Sequence, residues 1–269
     1  MTGVKRGFVA IDEGQVHYRY AGADEATPLV MLHPGPTSSH ALVPLIERLG
    51  ARRRIIAPDI LGMGDSCAPA RDDADMAYFA EAMGRTLDAL GVATFDLWGS
   101  MTGAHCGIEL ALQQPARVKR FYVEMLLDHD KVTEKALQAH HAPKVEPDLI
   151  GNQFNLFWHL ARDQHMFFPW FERDAAHRRR ANLPTARQLH EKTVELLKAM
   201  RTFHVALNAA VRHPSGERIA RVQVPVFGPE WLTNYLPSAT VRGDFCGGPG
   251  TAPASQVDAA AAEILRHLT

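Results

Sequence analysis

The chain has 269 residues, with 29 Lys and Arg against 30 Asp and Glu and a formal net charge of −1. That balance provides no global field to gather nucleic acid or an anionic membrane surface, and no apolar run approaches the roughly 20 residues that span a bilayer. Cys67, Cys106 and Cys246 show no paired spacing, which argues against a disulfide framework or a zinc site, so the expectation is a cytoplasmic α/β domain with a large core.

Residues 8–20 read as two strands around an Asp12-Glu13-Gly14 turn. The short apolar run Pro28 to His33 has the character of a strand buried on both faces. It ends in Pro34-Gly35-Pro36, and a helix is expected from Ala41 to Leu49. A second buried run, Arg54 to Asp59, leads into the Gly62-Met63-Gly64-Asp65-Ser66 turn. Phe79, Met83, Leu87 and Leu90 then recur at helical spacing, closed by Gly91. Phe95 to Trp98 reads as a strand that runs into Gly99-Ser100-Met101-Thr102-Gly103, and a helical pattern follows at once. After another strand, Val118 to Leu127, strand signals vanish until Val222. Between them lies a helical stretch dense in His and aromatics, read as an inserted cap over residues 128–221. The core is then residues 1–127 and 222–269, closing with strands at Val222–Phe227 and Ala239–Phe245 and a helix from about Ser255 to Leu268. Strands alternating with helices point to a mostly parallel sheet with right-handed crossovers.

Strand, G-x-X-x-G, helix has the layout of a nucleophile elbow, whose glycines permit a sharp turn and whose central residue sits beside helix N-terminal N–H groups. Together with Leu32-His33-Pro34-Gly35-Pro36, Ala57-Pro58-Asp59 through Asp65-Ser66, and Gln114-Pro115-Ala116-Arg117-Val118, it makes the whole chain resemble the α/β-hydrolase superfamily with a helical cap. Thr102-Gly103-Ala104 after the apex, with Arg162 to His165 and Phe168-Pro169-Trp170, is similar to a branch in which histidine commonly replaces serine at the elbow. The resemblance implies a nucleophile at the apex, a late acid and a histidine on the last loop. Here the apex is Met101, whose thioether is no nucleophile at neutral pH, and no His lies between His213 and His267. The acid loop after Phe227 is also short, with Glu230 a poor stand-in. The oxyanion donors carried over from the family are the N–H groups of Thr102 and Gly35, since Pro34 and Pro36 have none to offer.

The remaining candidates divide between chemistry and packing. Ser100 and Cys246 are alternative nucleophiles that lack a visible base. Glu124, at a strand end facing the site, is a candidate acid–base group. His33 braces the oxyanion loop and Met101 floors an apolar pocket. On the cap, Trp158, Arg162 and His165 share one helical face, with His159 beside them. These residues, with Phe168, Trp170 and His204, are read as a wall that clamps a carboxylate through Arg162 and moves protons through His159 or His165. His105 and Cys106, on the first turn of the elbow helix, are read as packing, and no metal motif appears among the 14 His.

The leading expectation is therefore a cofactor-independent enzyme acting on a small, carboxylate-bearing, unsaturated metabolite, as isomerase, lyase or non-serine esterase. A second reading is a non-catalytic ligand-binding relative of a hydrolase, and a third is a hydrolase rewired around Ser100 or Cys246. The expected partner is a small molecule; nucleic acid and membranes are excluded, and a homodimer remains open.

Overall fold

The computed structural model describes residues 3–23, 27–126, 131–179, 183–241 and 254–268. The N-terminal pair expected from the Asp-Glu-Gly turn is a hairpin of β1 (Lys5–Ile11) and β2 (Gly14–Ala21), paired antiparallel. The short runs without alternation become β3 (Leu29–Leu32) and β4 (Ile55–Pro58), with every residue buried, as strands covered on both faces require. β5 (Phe95–Ser100) and β6 (Val118–Met125) continue the sheet, and β7 (Val226–Gly228) and β8 (Thr240–Val241) complete it. Strand order is β1-β2-β4-β3-β5-β6-β7-β8, and every pairing beyond the β2–β4 contact is parallel.

Helices cover both faces. α1 (Val43–Leu49) and α9 (Ala254–Leu268) bury Leu45, Ile46, Val257 and Ile264 against Met31, Trp98 and Tyr122 on one side. On the other side, α2 (Met76–Ala89) and α3 (Thr102–Gln113) pack on Val30, Leu32, Leu97 and Phe121. The Asp75 side chain caps α2 by accepting the Tyr78 N–H, so the helix starts three residues before Phe79, the first residue of its apolar period.

Between β6 and β7 come α4 (Lys131–His140), α5 (Asn152–Met166), α6 (Ala186–Ala199), α7 (Phe203–Arg212) and the short α8 (Ser215–Ile219). Phe157, Leu160, Leu196, Phe203 and Leu207 from these helices join the apolar core that lies on the α2/α3 face of the sheet. No helix among the described residues is long and apolar enough to cross a membrane.

Candidate active site

Met101 stands at the turn between β5 and α3 with φ 48° and ψ −118°, the only non-glycine residue with positive φ among those described. The turn is tied on both sides. The Met101 N–H donates to the Met125 carbonyl at 2.7 Å, and the Met101 carbonyl accepts the N–H groups of Ala104 and His105. Sequence reasoning gave the conformational freedom to Gly99 and Gly103; the structure gives them a different job. Neither has positive φ, but a Cβ on Gly103 would lie 2.1 Å from the Leu32 carbonyl oxygen, and one on Gly99 would lie 2.8 Å from the Gly103 oxygen. The glycines allow close approach of β5, α3 and the end of β3, and the strained backbone sits on Met101 itself.

The residues that carry the two expected oxyanion donors lie side by side here. A Cβ on Gly35 would fall 2.7 Å from Thr102 Oγ1 and 2.5 Å from Leu207 Cδ1, which places the β3 loop hard against the start of α3. Neither the Gly35 N–H nor the Thr102 N–H has a hydrogen-bond partner among the described residues. A helix N-terminus adds its own preference for negative charge at this point. His33 holds the loop in place. Its Nε2 accepts the Ile60 N–H at 2.9 Å, so its Nδ1 carries the proton and donates to the Pro34 carbonyl at 3.1 Å. Burial holds this imidazole below its ordinary pKa, and it stays a neutral brace with no surface for a substrate.

Over the apex lies a cavity of about 410 Å³ of atom-free space, including its open mouth. Gly35, Met101, Thr102 and His105 form its floor. Leu137, His141 and Phe168 face them from the helical insertion, with Leu207, Ala210 and Val211 of α7 alongside. Of the residues expected from the sequence, the structure therefore brings Gly35, Met101, Thr102 and Phe168 together.

The others stand elsewhere. Ser100 is buried and donates its Oγ proton to Glu124 Oε2 at 2.5 Å, so this serine and this carboxylate are joined to each other and line no part of the cavity. Arg162 is held by Asp163 at 2.7 Å, and the same buried carboxylate also takes Arg173 at 3.1 Å. The arginine expected to clamp a substrate carboxylate is thus spent on an ion pair. His159 is exposed and Trp158 half-buried, both outside the cavity. Burial, with Lys192 and Arg179 close by, lowers the His165 imidazole to about 4, so it is neutral at pH 7 and poorly placed to shuttle protons there. Trp170 is buried and donates its Nε1–H to the His141 carbonyl, fixing that residue's backbone. His204 is held below its usual pKa by burial and by Lys144, and it does not reach the cavity.

The departures on α5 share one physical reason. α5 turns Gln153, Phe157, Leu160 and Ala161 into the core, a face set by its apolar period, and carries exposed His159 and half-buried Trp158, Arg162 and His165 off that face. The elbow is covered instead by α7 and by the end of α4.

His105, expected to pack, lines the cavity, as does His141, read from the sequence only as one of an adjacent pair, His140-His141, on different helix faces. Met101 and His105 stand four residues apart along α3, on one helical face, a spacing legible in the sequence. Cys106, next to it, is buried with its thiol pushed up to about 12 by burial and by Glu109, which leaves it unreactive at neutral pH. Cys246 lies outside the described residues.

Two clusters present metal-type ligands, His17 with Asp59 and Asp65, and Glu172 with Asp174 and His177. The first is already satisfied within the protein. Asp59 accepts from the N–H groups of Ser39 and Asp65 and pairs with His17 Nδ1 at 2.8 Å, and Asp65 pairs with Arg6. Burial pushes the Asp59 carboxyl up, but the His17 hydrogen bond, His33 and the two N–H donors outweigh it and bring it down to about 2. This cluster ties β2 to β4 and the loop after it. The second is exposed, and His177 Nδ1 already pairs with Asp174.

An eight-stranded, mostly parallel sheet wrapped by helices, with a strained apex between β5 and α3, is the α/β-hydrolase fold. A family model described as alpha/beta hydrolase fold matches residues 27–145. Epoxide hydrolase A from Mycobacterium thermoresistibile has the same fold, with a TM-score of 0.72 over 99% of both chains at 19% identity. A 2-hydroxymuconate semialdehyde hydrolase from Pseudomonas putida is 35% identical over 103 residues, covering 36% of this chain and 35% of its own length. An uncharacterized hydrolase from Saccharomyces cerevisiae is 33% identical over 111 residues, covering 41% of this chain and 38% of its own. The chain thus matches less than two fifths of the length of either curated relative.

Proposed function

We propose that this chain is a small-molecule hydrolase of the α/β-hydrolase fold that works without a covalent enzyme intermediate. One observation carries the reading. Gly35 and Thr102, whose N–H groups have no partner among the described residues, line one cavity with His105 and His141 and with Met101, an apex side chain that cannot attack. In such a site water is the nucleophile. A cavity imidazole takes one proton from water as the water oxygen bonds to the substrate carbonyl carbon. The carbonyl π electrons move to oxygen, where the two N–H groups hold the charge. When the tetrahedral species collapses, the bond to the leaving oxygen breaks, and that oxygen takes the proton back from the imidazole. The sum is ester plus water giving acid plus alcohol.

Hydrolysis is preferred here over isomerisation or lyase chemistry because the relatives that carry an activity in their names are hydrolases. With Arg162 committed to Asp163, no cationic side chain lines the cavity among the described residues, and its walls are largely apolar. The substrate class that suits it is a small, mostly uncharged ester rather than the carboxylate-bearing, unsaturated metabolite expected from the sequence.

The test is turnover of short-chain p-nitrophenyl esters followed at 400 nm, with a rapid-mixing trace. Steady turnover with no burst, abolished by Leu207→Trp filling the cavity, supports water attack. A stoichiometric burst would point to a covalent intermediate and overturn it. Saturable binding with no turnover would favour the non-catalytic reading, to which Met101 at the apex lends weight.

A further inference from the structure

Behind the cavity floor a line of buried ionisable groups leads away from His105. The His105 Nδ1 is 3.1 Å from His213 Nδ1, the two rings meeting edge to face. His213, just past the end of α7, brings its Nε2 to 2.8 Å from Glu109 Oε1. Arg218 of α8 closes the line, with Nε and Nη2 each 2.6 Å from one Glu109 oxygen. His105, His213 and Glu109 are all nearly inaccessible to solvent. Burial pushes the Glu109 carboxyl up, but hydrogen bonds from His213 and Arg218 outweigh it and bring it down to about 2.

Hydrogen-bond rules then dictate where the protons sit. Ionised Glu109 only accepts, so His213 Nε2 carries a proton and donates it. Two Nδ1 atoms face each other across 3.1 Å, and a hydrogen bond there needs one proton between them. When the pair is uncharged, that proton belongs to His105, whose Nε2 is then the basic atom. When the pair takes up one more proton at His105 Nε2, the proton between the rings can pass to His213. The imidazolium then rests against Glu109, and His105 is left neutral with an Nε2–H to give back.

We propose that His105 is the acid–base group of the cavity, and that His213, Glu109 and Arg218 form a relay that takes its positive charge out of the apolar site. His105 is a catalytic residue in this scheme, and the other three are positioning residues that act through it. The relay replaces the loop histidine and its acid from within α3, α7 and α8, using a helix face instead of the last loop. This rests on the hydrolytic reading above. Titratable and charged groups around the pair include Glu109 and the inert Cys106 on α3, Arg218 on α8, and His141 across the cavity. Arg212, next to His213, turns away to the Ala74 carbonyl.

The test has two arms, which separate failure of the relay from failure of the hydrolytic reading. In the first, side-chain ¹⁵N and ¹H NMR follows the His105 and His213 imidazoles through a pH titration of the wild type, Glu109→Gln and His213→Phe, with near-ultraviolet circular dichroism to check folding. The expected result is a coupled pair that takes up its first proton at His213. Glu109→Gln should weaken that uptake at least tenfold, and His213→Phe should return His105 to a single independent titration. If either variant folds and leaves the His105 titration unmoved, the relay is refuted; should His213→Phe not fold, Glu109→Gln alone decides.

In the second arm, p-nitrophenyl acetate turnover by His105→Gln is expected to fall at least 100-fold, the ordinary scale of a lost acid–base group. Glu109→Gln should lower kcat about tenfold, leave KM in place and shift the pH profile. Full activity in His105→Gln would overturn the proposal while leaving the hydrolytic reading intact. A wild type that does not hydrolyse the ester would sink the hydrolytic reading, and the titration would still decide whether the relay exists.

Discussion

At an ordinary position alanine is more stable than glycine by about 0.5–1 kcal/mol, because glycine loses more backbone freedom on folding. Residue 101 should reverse that order. Its φ of 48° with ψ of −118° is a conformation that costs a residue with a Cβ about 1–3 kcal/mol. The turn cannot relax out of it, because the Met101 N–H is held by Met125 and its carbonyl by Ala104 and His105. Met101→Ala and Met101→Gly remove the same side chain beyond Cβ, so lost packing cancels between them. What remains is the strain relieved in the glycine variant, less its extra entropy cost, a net advantage of about 1 kcal/mol for glycine. In a chain of this size that is about 2–4 °C in Tm. Urea unfolding of the two variants, read by fluorescence and by far-ultraviolet circular dichroism, measures the difference directly. An alanine variant as stable as the glycine one, or more so, would show that the apex is unstrained and would remove the argument that this turn is held in a functional conformation.

Three further outcomes follow from the geometry. Gly103→Ala puts a Cβ 2.1 Å from the Leu32 carbonyl oxygen, and because the neighbour is backbone the loss should be several kcal/mol or failure to fold, measurable by soluble yield and Tm. Arg162→Ala should leave ester turnover within twofold of wild type, since Arg162 is committed to Asp163 away from the cavity; a large rise in KM would put the substrate against the cap helix after all. Stability should fall with acid. The Asp59 and Glu109 carboxyls are both held near 2 when folded, below their ordinary values, so their contribution is present above the unfolded pKa and is lost as pH drops through roughly 5 to 2. For Asp59 this amounts to about 2 kcal/mol. Denaturation midpoints of wild type and Asp59→Asn should differ at pH 3 by about half as much as at pH 7.

The core elements were legible because each has a local cause. Buried strands show as short apolar runs, α2 as an apolar period closed by Gly91, and the elbow as two glycines at the spacing where β5, α3 and β3 nearly touch. β7 illustrates the limit: the run Val222 to Phe227 reads as a six-residue strand, yet the strand that pairs with β6 and β8 is only Val226–Gly228, because strand length is decided by the neighbours and not by composition. The same holds for the site. Gly35, Met101, Thr102 and Phe168 were found from motif and order. The proton-moving residues are expected on α5, where His and Arg are dense, but the apolar period of that helix keeps them off its core face, and none of them lines the cavity.

By itself, the sequence determined the α/β architecture, the position of the apex and the identity of the residue on it, since these follow from contacts within a few residues or between adjoining strands. It also carried, unrecognised, the Met101, His105 and Glu109 spacing that lines one face of α3. Only the tertiary structure decided what that face meets. His213 and Arg218 lie more than 100 residues further along the chain than His105 and Glu109 and reach them only because α7 and α8 fold back over α3. A histidine becomes an acid–base group or a packing residue according to which partners share its burial, and partners so distant in sequence are brought together by the packing of the whole core.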